Sequence, residues 1–459
     1  MRPGSSKTIP RAAHDAVRRR LLRGGIASAL WPALAAHGDA ADAFGPALRD
    51  IEEFTAGRVR PGDWIDADSI ELVQDLVDPI LYQEVKQDRR RFFIQPAEHS
   101  LETLFPPYFL DATLRHQGRA RFAADGNVVS DRGGHWPGGL PFPAATSGAE
   151  VIANLTLSWG RHDRALYAFP AVVIDAAGAQ AYEYDFVWAE QQCAGLVHPD
   201  APAAFLPGHD NELRRQSLWF THTNDVRGSA FLSIWPYDQR RVPELFGYLP
   251  NLKRVRRFPA NQRFEPYMPG LNLYLSDAWA AGDPMLTWGN YRIIHRGPYL
   301  ASCHAQWRPG QANWAHPLVG GAGGISYFEV GKALVPEVIV VEAEPVAYPN
   351  APVSRRRIYV DARNMNVLQA ITYDRHGEMW KSFETGSGQR LAGTEAERCS
   401  DGRIEWSFNW LISHDIQANR VTRVLQAEQC RGNWRTRLDP ELDLVSEFMT
   451  EQALRRMGN

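Results

Sequence analysis

Cysteine is scarce. The 459 residues hold four, at spacings that fit no zinc pattern, and they suit an oxidising compartment without requiring one. No apolar run reaches the roughly 20 residues needed to cross a bilayer. A basic excess is missing too: 50 Lys+Arg stand against 53 Asp+Glu, a formal net charge of −3. That balance offers nothing to hold a polyanion, so nucleic acid is not an expected partner. The G-x-S-x-G elbow, H-E-x-x-H and the phosphate-binding G-x-x-x-x-G-K-[ST] are all absent. The glycine-rich "VGGAGGIS" (319–326) precedes a strand rather than following one and misses the dinucleotide spacing. The 14 histidines are scattered. Their densest neighbourhoods are Cys303-His304 and the pair His222 and Asp225, and adjacent strand residues point to opposite faces. No metal, cofactor or catalytic residue is expected.

What the chain does have is rings: 15 Trp, 15 Tyr and 20 Phe, which suit the half-buried surface of a sheet. Its N-terminus has the anatomy of an export signal. Arg18, Arg19, Arg20 and Arg23 precede a short apolar run from Gly24 to Ala36, and Ala33-Leu34-Ala35 and Ala41-Asp42-Ala43 offer cleavage sites. The order Arg-Arg-Arg-Leu-Leu-Arg resembles a twin-arginine signal, a Sec-type signal being the alternative. Residues 1–43 are therefore read as a cleaved signal, and the mature protein as periplasmic and free of a lipid anchor. In 44–147, Ile70, Val73, Leu76 and Val77 form one helical face that Pro79 is expected to stop, and 130–148 is an irregular Gly/Pro loop. From 148 to 459 the texture is that of strands. The clearest are Arg357–Val360, Val367–Tyr373 and Met379–Phe383, joined by turns at 361–364 and 374–377. A short helix is expected at the C-terminus. Cys399 and Cys430 bracket what reads as two antiparallel strands, so a bridge between them is geometrically possible, while Cys193 and Cys303 can pair or stay free. Helices at both ends and a meander between imply α+β, mainly β: an antiparallel sheet burying a face on helices.

Two charged features invite functional readings. Glu183 and Asp185 lie two apart on one strand face, the placement of an acid/base pair in an exported glycan hydrolase with tryptophan sugar platforms. The plainer reading is a solvated face. In "YLPNLKRVRRFP" (248–259), Lys253, Arg254, Arg256 and Arg257 are read as the end of a strand. They suit a solvated edge that discourages sheet pairing, or a docking surface for an acidic partner or lipid head group.

In order, "HWPGGLPFPAATSGAEVIANL" (135–155), Tyr248-Leu249-Pro250 with Lys253–Arg257 and Ser276-Asp277, and "RRRIYVDARNMNVLQAITYDRHGEMWKSFE" (355–384) resemble the family of domain of unknown function 1329. That family is related to the outer-membrane lipoprotein-sorting (LolA/LolB-like) periplasmic carriers. The resemblance runs from about residue 60 to the terminus; the family's Gly-Thr-Ile-Pro-x-Trp opening is replaced here by "GDWIDADSIELVQDLVDP". It implies a large curved antiparallel sheet, an unclosed half-barrel, with helices plugging the concave face. It also implies a carrier of lipid or another hydrophobic molecule, not an enzyme, with at most transient membrane contact. Its expected partner is an envelope transporter of the resistance–nodulation–division type or an outer-membrane protein. Trp235, Tyr237, Trp380 and Phe383 are the expected groove lining, with Trp235 and Tyr237 on one strand face.

Overall fold

A computed structural model describes residues 50–458, except 202, 278–282, 308–309, 321–325, 393–394, 399–401 and 403. The expected export signal (1–43) and Cys399 thus lie outside the described residues. The long strands are β1 (Arg164–Ile174), β2 (Gln180–Gln192), β3 (Glu212–His222), β4 (Ala230–Pro236), β5 (Glu244–Leu249) and β6 (Arg254–Phe258). After them come β7 (Gly289–Ala301), β8 (Gly331–Glu344), β9 (Val353–Asp361), β10 (Val367–Asp374), β11 (Met379–Gln389), β12 (Trp406–Asp415) and β13 (Arg420–Leu425). They belong to one 16-stranded sheet in the order β8-β9-β10-β11-β12-β13-β1-β2-β3-β4-β5-β6. Beyond β8 lie β7 and the short strands Phe92–Ile94 and Trp64–Ile65, and Arg437–Leu438 joins β1. The pairing of Phe92–Ile94 with β8 is parallel, so the sheet is mixed, and it does not close into a barrel.

Side-chain alternation splits this sheet into two apolar faces. On β1, Tyr167, Phe169, Ala171 and Val173 face the main core, beneath α2 (Pro107–His116) and α3 (Gly148–Leu157). Leu166 and Ala168 face the opposite way. They pack with Leu444 of α4 (Leu444–Phe448) and Leu454 of α5 (Glu451–Gly458). The same second face, nearer β12 and β13, receives Leu81 and Val85 of α1 (Pro79–Asp88). Helices therefore cover both sides of the unclosed sheet.

Three local expectations change. Pro79 starts a helix instead of ending one: it occupies the first turn of α1, where a missing N–H costs nothing, and Asp78 Oδ1 accepts from Ile80 N at 2.9 Å and Leu81 N at 3.1 Å. The preceding Ile70–Leu76 is a separate 3-10 helix. After Ser147 comes helix α3, not a strand, set by a capping box in which Ser147 and Glu150 satisfy each other's backbone N–H. Finally, the basic stretch is a strand of its own. Among the described residues β6 pairs with β5 alone, and it stands at the end of the sheet. Lys253 makes the turn at φ 49°, and Lys253, Arg254, Arg256 and Arg257 are all exposed.

The N-terminal segment is held to the second face by buried charge. Arg90 donates to Glu84 at 2.5 Å and to Glu384 of β11 at 2.6 Å, Lys332 of β8 also pairs with Glu384, and His414 of β12 meets Glu84 at 2.7 Å. Burial alone would raise the Glu384 carboxyl; Arg90 and Lys332 outweigh it and lower it. Removing one partner of such a pair strands the others, at roughly 3–5 kcal/mol. Urea unfolding of Glu384→Gln is expected to show a loss of about that size. Adding Lys332→Met should recover part of it, and a single variant as stable as the parent would contradict the assignment.

Candidate functional site

The main core is not completely filled. Between the C-terminal end of α3 and the sheet lies a mainly apolar pocket of about 70 Å³ that opens to solvent. Tyr167 and Phe169 of β1 stack at 5.4 Å and form one wall, with Phe408 of β12 edge-on to both. Phe383 and Thr385 of β11, Leu155 of α3 and Trp406 are also in the lining.

Two backbone devices shape it. Between β11 and β12 the register slips, Gly386 facing Trp410 while Ser387 faces Phe408. The extra residue is Asn409, and this bulge lets Phe408 and Leu411, three apart, line the same pocket. Gly386 permits it, since a Cβ there would lie 2.3 Å from Trp410 Nε1. The second device is the turn after α3. Gly160 and Arg161 both have positive φ, 75° and 63°, and a Cβ on Gly160 would lie 2.7 Å from Glu190 Oε2.

That turn gives the pocket a polar end. Glu190 Oε1 accepts from Trp159 Nε1 at 2.7 Å, Trp188 Nε1 at 2.6 Å and Gln216 Nε2 at 3.3 Å. Burial raises its pKa, against these bonds and the nearby charge of Arg214. Arg161, also buried, donates through Nη2 to the Asn364 carbonyl at 2.5 Å. His162 Nε2 lies 2.9 Å from the Trp406 carbonyl, which ties the turn to β12.

Of the four expected lining residues, only Phe383 reaches this pocket. Trp235 and Tyr237 do share a strand face, but in a separate buried cluster with Ala194 and Leu213. Trp235 lies under the Arg214 guanidinium at 4.1 Å, and the Tyr237 hydroxyl donates to the Val128 carbonyl at 2.8 Å. Trp380 sits elsewhere, against Tyr274, its Nε1 donating to Asp415 at 3.1 Å. Sequence reasoning missed Tyr167, Phe169, Trp188, Trp406 and Phe408. Their signal was there: rings two apart in "LYAFPA", "YDFVWAE" and "EWSFNW".

Glu183 and Asp185 do share a face, and both carboxylates are taken by Arg431. Its Nε donates to Asp185 at 2.9 Å and its backbone N–H at 2.8 Å. Asp185 is buried, contrary to a solvated face, because this clamp neutralises it. Cys193, Cys303 and Cys430 are free and buried. One potential metal cluster occurs among the described residues, Cys193 with His209 and Glu212. It is a poor cation site: Arg215 binds both Glu212 oxygens, at 2.6 and 2.7 Å, and burial pushes the Cys193 thiol up. In a second, polar pocket beside Trp307 and Trp314, Arg390 pairs with Glu397 and Glu405, and Arg435 with Glu428.

The family model described as "Protein of unknown function (DUF1329)" matches residues 64–455. The chain belongs to this family. No curated protein matches it. Similar solved structures include an outer membrane lipoprotein-sorting protein domain from Vibrio parahaemolyticus, at 14% identity and TM-score 0.41, covering 67% of this chain and 97% of that one. A DUF1329 family protein from Desulfovibrio piger has 13% identity and TM-score 0.42, with the same coverages. A LolA superfamily protein from Nitrosomonas europaea has 11% identity and TM-score 0.36, covering 67% and 98%.

Next to the pocket's turn, Asp163 caps the 195–198 loop, accepting from Val197 N at 2.8 Å and His198 N at 2.9 Å. Burial nonetheless raises its pKa from 3.8 to about 6. The folded state thus holds this proton more tightly than the unfolded one. Its contribution is greatest below pH 3.8 and is lost as pH rises to about 6, by about 3 kcal/mol. Asp163→Asn is expected to flatten the pH dependence of urea unfolding between pH 4 and 6; an unchanged slope would contradict it.

Proposed function

We propose that this protein is a periplasmic carrier that takes a lipid or other hydrophobic molecule into the aromatic pocket beneath α3, and that it is not an enzyme. The observation that carries the reading is the pocket itself: an apolar space walled by Tyr167, Phe169, Phe383 and Phe408 and open to solvent. An acyl chain of roughly 15 methylenes, enclosed once α3 moves outward, would gain up to about 12 kcal/mol gross on leaving water, at about 0.8 kcal/mol each. Ordering and association costs reduce this to a reversible affinity. No helix among the described residues is long and apolar enough to cross a membrane. The arginine-led N-terminus supports export.

The exposed cations of β6 support a second element of the reading, docking to an acidic partner surface. In the envelope that partner is a resistance–nodulation–division transporter or an outer-membrane protein. Only Arg257 of the four has an ion pair among the described residues, to Glu244 at 2.7 Å.

Mass spectrometry of a solvent extract of the natively purified protein is expected to find a stoichiometric apolar species. A fluorescent fatty acid should enter the emptied protein and be excluded from Thr385→Trp, which fills the pocket mouth. A clean extract together with no uptake would reject carriage. The double variant Arg254→Glu/Arg256→Glu should load normally yet deliver at least tenfold more slowly to anionic acceptor vesicles. Unchanged delivery would remove the docking role.

A further inference from the structure

Two donors in the pocket lining have no partner among the described residues. Arg161 Nη1 and Trp406 Nε1 are out of contact with solvent and donate to no described group. Their residues are 5% and 2% exposed, and both line the pocket. Arg161 makes no ion pair among the described residues. Its guanidinium rests against Phe105 and Phe109, at 5.4 and 5.0 Å, and its one hydrogen bond goes to a carbonyl. Asp361, the nearby negative charge, is already engaged by Arg363 at 2.6 Å. Glu190, the carboxylate in the lining, is bonded by three N–H donors and makes no ion pair with Arg161. The Arg161 guanidinium is thus buried in the pocket wall with no carboxylate among the described residues paired to it. An unmade hydrogen bond to a buried charged donor costs more than the roughly 1–3 kcal/mol of a neutral one.

On the reading of the protein as a hydrophobic-molecule carrier, we infer that its cargo is an anionic amphiphile, a long-chain carboxylate whose head lies between Arg161 Nη1 and Trp406 Nε1. A carboxylate offers one oxygen to each donor, and it is the smallest anionic head for a site with little free space. The chain would run along Tyr167, Phe169, Phe383 and Phe408, where the wall is hydrocarbon. Glu190 beside the turn disfavours a second negative charge, so a singly charged head suits the site better than a phosphate monoester.

The test is displacement of a dansyl-labelled undecanoate probe from the delipidated full-length mature protein by palmitate and by methyl palmitate. Palmitate should compete at least tenfold better than the ester. Arg161→Gln should abolish that preference while leaving the ester's affinity within twofold. Trp406→Phe keeps the ring and removes the donor, and should weaken palmitate several-fold without affecting the ester. It also provides the test if Arg161→Gln fails to fold, as judged by thermal melting. Equal competition by acid and ester in the parent, or an unchanged preference in the variants, overturns the carboxylate assignment and leaves carriage intact. Failure of both ligands and of the probe to bind overturns the carrier reading as well.

Discussion

The buried ion network around Arg90 is the constraint on which the pocket depends. Arg90, Glu84, Glu384, Lys332 and His414 join α1 to β8, β11 and β12 on one side of the sheet. Strand geometry carries this to the other side. Glu384 points into the network, so its neighbours Phe383 and Thr385 must point the opposite way, where they line the pocket. A charge network tolerates little displacement, because each member leaving its partner exposes a buried charge. The pocket wall therefore rests on a backing that resists slippage, and the bulge at Asn409 is held in register.

A carrier must keep an apolar space open in a molecule whose other contacts favour closing it. Here the floor and the roof are fixed separately. The floor is sheet, packed from behind by the N-terminal segment and the C-terminal helices. The roof is α3, fastened at its start by the Ser147/Glu150 box and at its end by Trp159 and Arg161 in the turn. The rim residues Trp159, Asn366, Thr385 and Phe408 are only partly buried. Admitting a long cargo requires α3 to move away from the sheet, which opens this part of the core but leaves strand pairing intact.

Much of the sheet was legible, and the reason is local. In 355–384 the turns at 361–364 and 374–377 fall between apolar runs, and strands β9, β10 and β11 follow them. The export signal and the Cys399 half of the suggested bridge fall outside the described residues. Errors arose where one residue type serves opposite ends of an element. Pro79 breaks a helix from within and begins one at its first turn; Asp78 before it was the deciding signal. Helix α3 was hidden because "AEVIANLTL" is buried nearly all round, which erases the amphipathic period. The site was harder still. Arg161 and Trp406 are 245 residues apart, and no local pattern announces a donor left without an acceptor.

That missing acceptor has a thermodynamic consequence beyond selectivity. A group that is unsatisfied when the pocket is empty destabilises the empty protein, and a cargo that satisfies it stabilises the folded state by mass action. Apolar contact alone would hold any chain of suitable length, with discrimination of only about 1–3 kcal/mol per methylene misplaced. A buried donor set discriminates more sharply, because the wrong head group leaves the donors unpaired in a medium that water does not reach. The aromatic walls of the pocket then determine how strongly cargo is held, and Arg161 with Trp406 determines which cargo it is.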